Sequence, residues 1–129
     1  MQKKIFLAIL YLSLLWEGAI AGLALFATET FLTMGKFTVT EQMLSFGVLF
    51  GWVILFLTIL IGYIIYLVHK GERTGWSLTG LLAAWWVAIG VGVYMQLGVP
   101  DNLISDSLKG VLLLIFAYLS VPRKDARVS

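Results

Sequence analysis

Three charged residues lie where a lipid bilayer would tolerate them poorly. Glu17 is the only charge in an apolar run from Ile5 to Phe26, and Asp106 and Lys109 come just before a strongly apolar stretch over 111–121. An ionised side chain near the bilayer centre costs about 2.5–3.5 kcal/mol on insertion scales, so such residues need protein partners or handle protons or ions. We therefore take Glu17, Asp106 and Lys109 as candidate substrate- or ion-binding residues.

The depth of two of these charges suggests a pair. Glu17 comes twelve residues after Ile5, and Lys109 comes twelve residues before Val121, where the first and fourth predicted helices reach the same side of the membrane. Twelve residues cover about 18 Å along a helix. One hypothesis is an ion pair between them, inside the bundle or across an oligomer interface. Asp106 competes as the partner of Lys109, because residues three apart share a helix face. In a third arrangement Lys109 extends toward the interface, while Glu17 is protonated or hydrogen-bonded to Ser13.

Three tryptophans are further candidates for the site. Trp16, Trp85 and Trp86 lie near the middle of their predicted helices, away from the interfacial belt that tryptophan usually occupies. They would either fill the helix bundle or line an intramembrane pocket near Glu17 for a hydrophobic ligand such as a quinone, sterol or lipid.

The surrounding elements are predicted to be membrane-spanning helices. Of the 129 residues 60% are hydrophobic and only 12% charged, with a mean hydropathy of +0.97. Soluble domains have about 25% charged residues. The prediction is an all-α, four-helix transmembrane bundle forming a single domain, 1–129, because a membrane span needs about 20 apolar residues and an open sheet cannot satisfy its backbone in lipid. The predicted helices cover about 5–34, 39–68, 76–97 and 102–121.

Local signals mark the ends of these helices. Gly35 is expected to end the first helix in a left-handed conformation. Thr38 and Glu41 have the spacing of a capping box at the start of the second. Gly98 ends the third, and Pro122 the fourth.

The basic residues predict the orientation. When four helices are threaded through a membrane, seven basic residues fall on one side: Lys3, Lys4, Lys70, Arg73, Arg123, Lys124 and Arg127. Only Lys36 and Lys109 fall toward the other. Positive residues concentrate on the cytoplasmic side, so both termini are predicted to be cytoplasmic. We expect a multi-pass cell-membrane protein, in a bacterial or archaeal inner membrane rather than an organellar one.

Small residues define predicted packing faces. On the first helix Ser13, Glu17 and Ala24 fall on one side, with Gly18 and Gly22 beside them, and bulky residues including Trp16 fall on the other. Small residues allow close helix approach in lipid, within the bundle or in a homodimer. Small residues also repeat at four-residue spacing on two other predicted helices, where we call them stripes. The stripe on the second helix is Gly47 and Gly51, and the stripe on the third is Gly80, Ala84, Ala88 and Gly92.

Several kinds of chemistry lack the residues they need. The chain has no cysteine and one histidine, so zinc-finger and bis-histidine haem sites are excluded. We predict no metal and no cofactor. No phosphate-binding loop or nucleophile elbow occurs, which makes an enzyme the less favoured reading. The net charge of +2 arises from short clusters between apolar runs and does not support nucleic-acid binding.

The position of Glu17 carries one resemblance. A lone glutamate in the first of four short helices resembles the small multidrug resistance family, in which that acid exchanges protons for cationic drugs. The likeness covers Glu17 alone and implies proton-coupled export.

Three functions follow from these observations. The first is a transporter or channel-like protein for a proton, ion or small solute that uses Glu17. The second is an accessory or assembly subunit of a larger membrane complex. The third is an intramembrane binder or enzyme for a hydrophobic ligand. The expected partners are the lipid bilayer and either a second copy of the chain or other membrane subunits.

Overall fold

The computed structural model describes residues 1–98 and 100–123, and within them the ordered elements are all helical. The all-α prediction is therefore confirmed. The elements in chain order are α1 (Gln2–Phe26), α2 (Thr28–Met34), α3 (Glu41–His69), α4 (Arg73–Leu97), a π-helical turn (Leu103–Ser107) and α5 (Leu108–Ser120).

Four helical segments are long and apolar enough to cross a membrane. They are Gln2–Phe26, Glu41–His69, Arg73–Leu97 and Leu103–Ser120. A helix satisfies its own backbone hydrogen bonds, which lipid cannot do, and this explains why the four apolar runs form helices. The prediction of four helices with the length and hydropathy of membrane spans is confirmed. The cytoplasmic location of both termini stays a prediction, and two of the basic residues behind it, Lys124 and Arg127, lie outside the described residues.

The predicted first helix, 5–34, is interrupted at Ala27. That residue has φ −138° and ψ 54°, and it separates α1 from the short α2. Across this break the Thr28 hydroxyl donates a 2.7 Å hydrogen bond to the Ala24 carbonyl oxygen. Such bonds from a side chain to the preceding turn bend helices. The chain nevertheless stays helical on both sides of the break.

The connection between α2 and α3 differs from the prediction at both ends. Gly35 has φ −78° and is not left-handed, whereas Lys36 has φ 62°. At the start of α3, the Thr40 hydroxyl accepts a 3.1 Å hydrogen bond from the Met43 backbone N–H. Thr40 therefore caps α3, and the capping box predicted at Thr38 is wrong by two positions.

The other helix ends are set by glycine. Gly71 has φ 74° in the short turn between α3 and α4, so α4 begins at Arg73, before the predicted start at Trp76. Gly98 has φ 69°, and its backbone N–H bonds to the Tyr94 carbonyl oxygen at the end of α4. Glycine adopts this left-handed conformation at no steric cost. The predicted helix stop at Gly98 is confirmed.

The chain divides into two compact units. The central unit is Tyr11–Tyr63, and the terminal unit combines Met1–Leu10 with Ile64–Ser129. In the central unit, α3 lies close to the end of α1 and to α2: a Cβ added at Gly51 would stand 2.9 Å from Leu25, and one added at Gly47 would stand 2.7 Å from Thr28. These two glycines were predicted to be packing residues, and both lie where α3 closely approaches α1 or α2.

Candidate functional site

The turn that precedes α5 gathers polar side chains in the terminal unit. One carboxylate oxygen of Asp106 accepts a 2.8 Å hydrogen bond from the Asn102 amide. The other lies 3.8 Å from the Lys109 ammonium. Residues three and four apart on a helix share a face, so this short segment brings an amide, a carboxylate and an ammonium together. The segment includes the π-helical turn Leu103–Ser107, a form of helix often found at functional sites.

A tryptophan from α4 completes this group. The Lys109 ammonium lies 3.9 Å from the centroid of the Trp86 ring, and Trp86 is only 2% exposed. The exposed fractions of the Lys109 and Asp106 side chains are 14% and 16%. A cation over an indole face is attracted by the ring quadrupole, by about 2 kcal/mol when both are desolvated. We call Asn102, Asp106, Lys109 and Trp86 the Lys109 cluster.

Two glycines allow α5 to approach α4 closely enough to form this cluster. A Cβ at Gly90 would collide with the Ser107 hydroxyl and stand 2.7 Å from the Asn102 carbonyl oxygen, and a Cβ at Gly110 would stand 2.6 Å from the Ala83 carbonyl oxygen. The Ser107 hydroxyl donates a 3.1 Å hydrogen bond to the Val87 carbonyl oxygen across the same contact. The helices meet backbone to backbone, as small residues permit in membranes.

Glu17 lies in the central unit, and its side chain is buried. It is 4% exposed, and Ser13, one turn earlier on α1, is 3% exposed. Ala21 and Ala24 continue the same buried face, while Trp16 on the other side is 57% exposed. The predicted division of α1 into a buried polar, small-residue face and an outward bulky face is confirmed. Protein therefore shelters the Glu17 carboxylate from the surroundings of the helix.

The sequence left the partner of Lys109 open, and the structure supplies two contacts. Asp106 and Trp86 both contact its ammonium group. Its side chain is mostly buried, so it does not extend freely away from the bundle. Glu17 and Lys109 belong to different units, and an ion pair between them stays a prediction.

The three central tryptophans differ in their surroundings. Only Trp86 is buried, whereas Trp16 is 57% and Trp85 40% exposed. The outward faces of Trp16 and Trp85 are the ones that lipid would contact if the helices span a membrane. The structure thus brings Trp86 to Lys109 and leaves the other two at the surface.

The predicted packing residues also separate into two groups. A Cβ at Gly18 would stand 3.5 Å from a Thr58 methyl group, whereas one at Gly22, Gly80 or Gly92 would meet no atom within 4 Å. Ala84 and Ala88 are exposed. The α4 stripe predicted to pack therefore lies largely at the surface of the chain.

Sequence reasoning missed the small residues that α4 does bury. Gly75, Thr79, Ala83 and Gly90 are buried on α4, and the first three repeat at the same four-residue spacing as the predicted stripe. Spacing alone could not choose between two such stripes. The position of Trp86 between Ala83 and Gly90 could have identified the buried stripe, because a bulky aromatic residue flanked by small residues indicates a helix face that packs against a neighbour.

Among the described residues, no group of three histidine, cysteine or carboxylate side chains could hold a metal ion. The chain matches no protein-family model, and it matches neither a curated protein nor a solved structure.

Proposed function

We propose that this chain is a small membrane transport protein in which Glu17 binds and releases a proton or a cation as a solute crosses the bilayer. The observation that supports this is the burial of the Glu17 side chain, at 4% exposed, on a helix long enough to span a membrane. An ionisable residue inside a membrane is costly to keep, so it usually marks a proton or ion pathway.

The Lys109 cluster is a poorer candidate for the transporting group. Its ammonium and carboxylate lie 3.8 Å apart and neutralise each other, and Asn102 occupies the second carboxylate oxygen. We assign it the role of joining the π-helical turn and α5 to α4. Glu17 is then the group whose charge changes during transport.

The proposal includes an orientation and an assembly. Both termini lie in the cytoplasm, because the basic residues concentrate at their end of the spans. The protein acts in a cell membrane as a homo-oligomer, most simply a dimer, because small residues at four-residue spacing, such as Gly80, Ala84 and Ala88, suit a helix–helix interface between two copies.

Flux measurements in liposomes test the role of Glu17. Purified protein is reconstituted with a pH-sensitive dye inside, and the collapse of an imposed proton gradient is followed with and without monovalent inorganic cations and lipophilic organic cations. We expect a flux that Glu17→Gln abolishes and Glu17→Asp partly retains. Glu41→Gln, which removes an exposed carboxylate at the start of α3, is the matched control and should behave as the wild type. Unchanged flux in Glu17→Gln, or no flux of any probe in the wild type, would contradict the proposal.

A second candidate, an accessory subunit of a larger membrane complex, is favoured by the α4 surface. Ala84 and Ala88 are exposed between two glycines, Gly80 and Gly92, that have open space beside them. Such a surface suits close approach by another helix. Purification in mild detergent distinguishes the two candidates. If a different membrane protein copurifies with the wild type and is lost from the Ala88→Leu variant, the accessory role is supported. If the chain purifies only as a homo-oligomer, the transporter is supported.

A further inference from the structure

One end of the terminal unit carries a concentration of exposed basic side chains. Lys3 and Lys4 lie in the first turn of α1, Lys70 and Arg73 flank the turn between α3 and α4, and Arg123 follows α5; all five are exposed. The only carboxylate among the described residues of these segments is Glu72. We call the five residues the basic end.

A buried tryptophan holds the segments of the basic end together. Trp76 is 4% exposed, and its indole N–H donates a 3.0 Å hydrogen bond to the Ser120 hydroxyl at the end of α5. The Phe6 ring stacks on it with centroids 6.0 Å apart, and the Lys3 ammonium lies 5.8 Å from its centroid. The start of α1, the start of α4 and the end of α5 therefore meet at one residue.

Within residues 1–98 and 100–123, the five side chains of the basic end make no ion pair with a carboxylate. The Asp106–Lys109 pair lies outside the basic end. Two of its lysines lie over aromatic rings instead, Lys3 over Trp76 and Lys70 over Tyr66 at 5.0 Å. A cation–π contact orients an ammonium group without cancelling its charge. Donors from three segments thus remain available to an anion at the level where helices leave the membrane.

We propose that the basic end is a binding site for the phosphate headgroup of an anionic phospholipid of the bilayer. Lysine and arginine side chains donate to phosphate oxygens, and basic groups beside membrane spans attract anionic lipids. The apolar outward faces of α3 and α5 accommodate the acyl chains, since Tyr66, Tyr118 and Leu119 are exposed there. The site does not involve Glu17 and does not depend on the proposed transport function.

Native mass spectrometry of the full chain tests this proposal. Protein in mild detergent is titrated with phosphatidylglycerol or with phosphatidylcholine of identical acyl chains. The wild type should retain phosphatidylglycerol preferentially, and Lys3→Gln or Arg123→Gln should each weaken that binding by about fivefold. Lys36→Gln removes an exposed lysine outside the basic end, in the turn after α2, and should change nothing.

Three outcomes would overturn the proposal. The first is equal retention of the two lipids by the wild type. The second is an effect of Lys36→Gln as large as that of Lys3→Gln, which would show diffuse attraction by total charge. If a variant fails to fold, the wild type still provides a test, because preferential binding must fall as ionic strength rises from about 0.1 M to 1 M. A preference that is insensitive to salt would contradict an electrostatic headgroup site.

Discussion

The Lys109 cluster shows how a charged pair is accommodated in an apolar helix. The carboxylate of Asp106 has an amide on one oxygen and an ammonium near the other, and the ammonium also lies over the ring of Trp86. Each charge thus has partners within a few ångströms, supplied by α4 and by its own helix. Such local compensation reduces the cost of keeping both charges away from water.

Removing one member of the pair should cost more than removing both. We expect Asp106→Asn or Lys109→Met to lower the free energy of unfolding by about 1–3 kcal/mol, because each removes the opposite charge that lies 3.8 Å from a mostly buried charge. The double variant should recover part of that loss. Thermal or denaturant unfolding in detergent measures all four proteins, and a double-mutant cycle gives the coupling. Strictly additive losses would show that the 3.8 Å contact contributes nothing.

At the residue scale the sequence predicted the burial of Glu17 more accurately than it predicted the partners of Lys109. The burial of Glu17 followed from its place on the small-residue face of α1, because helical periodicity determines which residues share a side. The partner of Lys109 did not follow, since Asp106 and Glu17 both had suitable positions. The contact with Trp86 requires the close approach of α4 and α5, which depends on packing and not on spacing along one helix.

At the scale of helices, the apolar runs predicted the spans well and their ends less well. Gly98 was predicted because a left-handed residue after a long helix favours glycine. The end of α2 at Met34 was also predicted, but the left-handed conformation expected at Gly35 occurs at Lys36 instead. The capping residue of α3 was misplaced from Thr40 to Thr38, since threonine occurs at both positions and only backbone geometry distinguishes them.

Two glycines of α4 should respond differently to the same substitution. Gly90→Ala places a methyl group against the Ser107 hydroxyl and the Asn102 carbonyl oxygen, and we expect a loss of about 1–3 kcal/mol from overpacking. Gly92→Ala meets no atom within 4 Å and should leave the stability of the chain unchanged or slightly raised.

Unfolding midpoints of the two single variants provide the measurement. Equal midpoints would mean that α5 does not approach α4 at Gly90 as described. A large loss in Gly92→Ala alone would instead indicate that the exposed stripe is covered by another chain.

At the scale of the whole molecule, composition and hydropathy were sufficient for the class and the number of spans. They were not sufficient for choosing the packed face of α4, because its two small-residue stripes have similar composition. Packing of neighbouring helices, here at Gly75, Gly90 and Gly110, decides which stripe is covered. Burial identified Glu17 as sheltered.

The predicted orientation can be tested directly because the chain contains no cysteine. Thr74→Cys places a thiol at an exposed position at the start of α4, and Gln42→Cys places one at an exposed position at the start of α3. In intact cells we expect a membrane-impermeant maleimide to label Gln42→Cys only, with Thr74→Cys labelled after the membrane is opened. The reverse pattern would place both termini outside the cell.

The interlocked contact at Gly90 has a mechanical consequence. The backbones of α4 and of the turn before α5 are in contact at Gly90, and the Ser107 hydroxyl donates a hydrogen bond to α4 beside it. Sliding or separating the two helices would break this hydrogen bond. We therefore expect α4 and α5 to move together as one rigid body during any conformational change. Bending would then have to occur elsewhere, for example in the turn at Gly71 or at the break at Ala27.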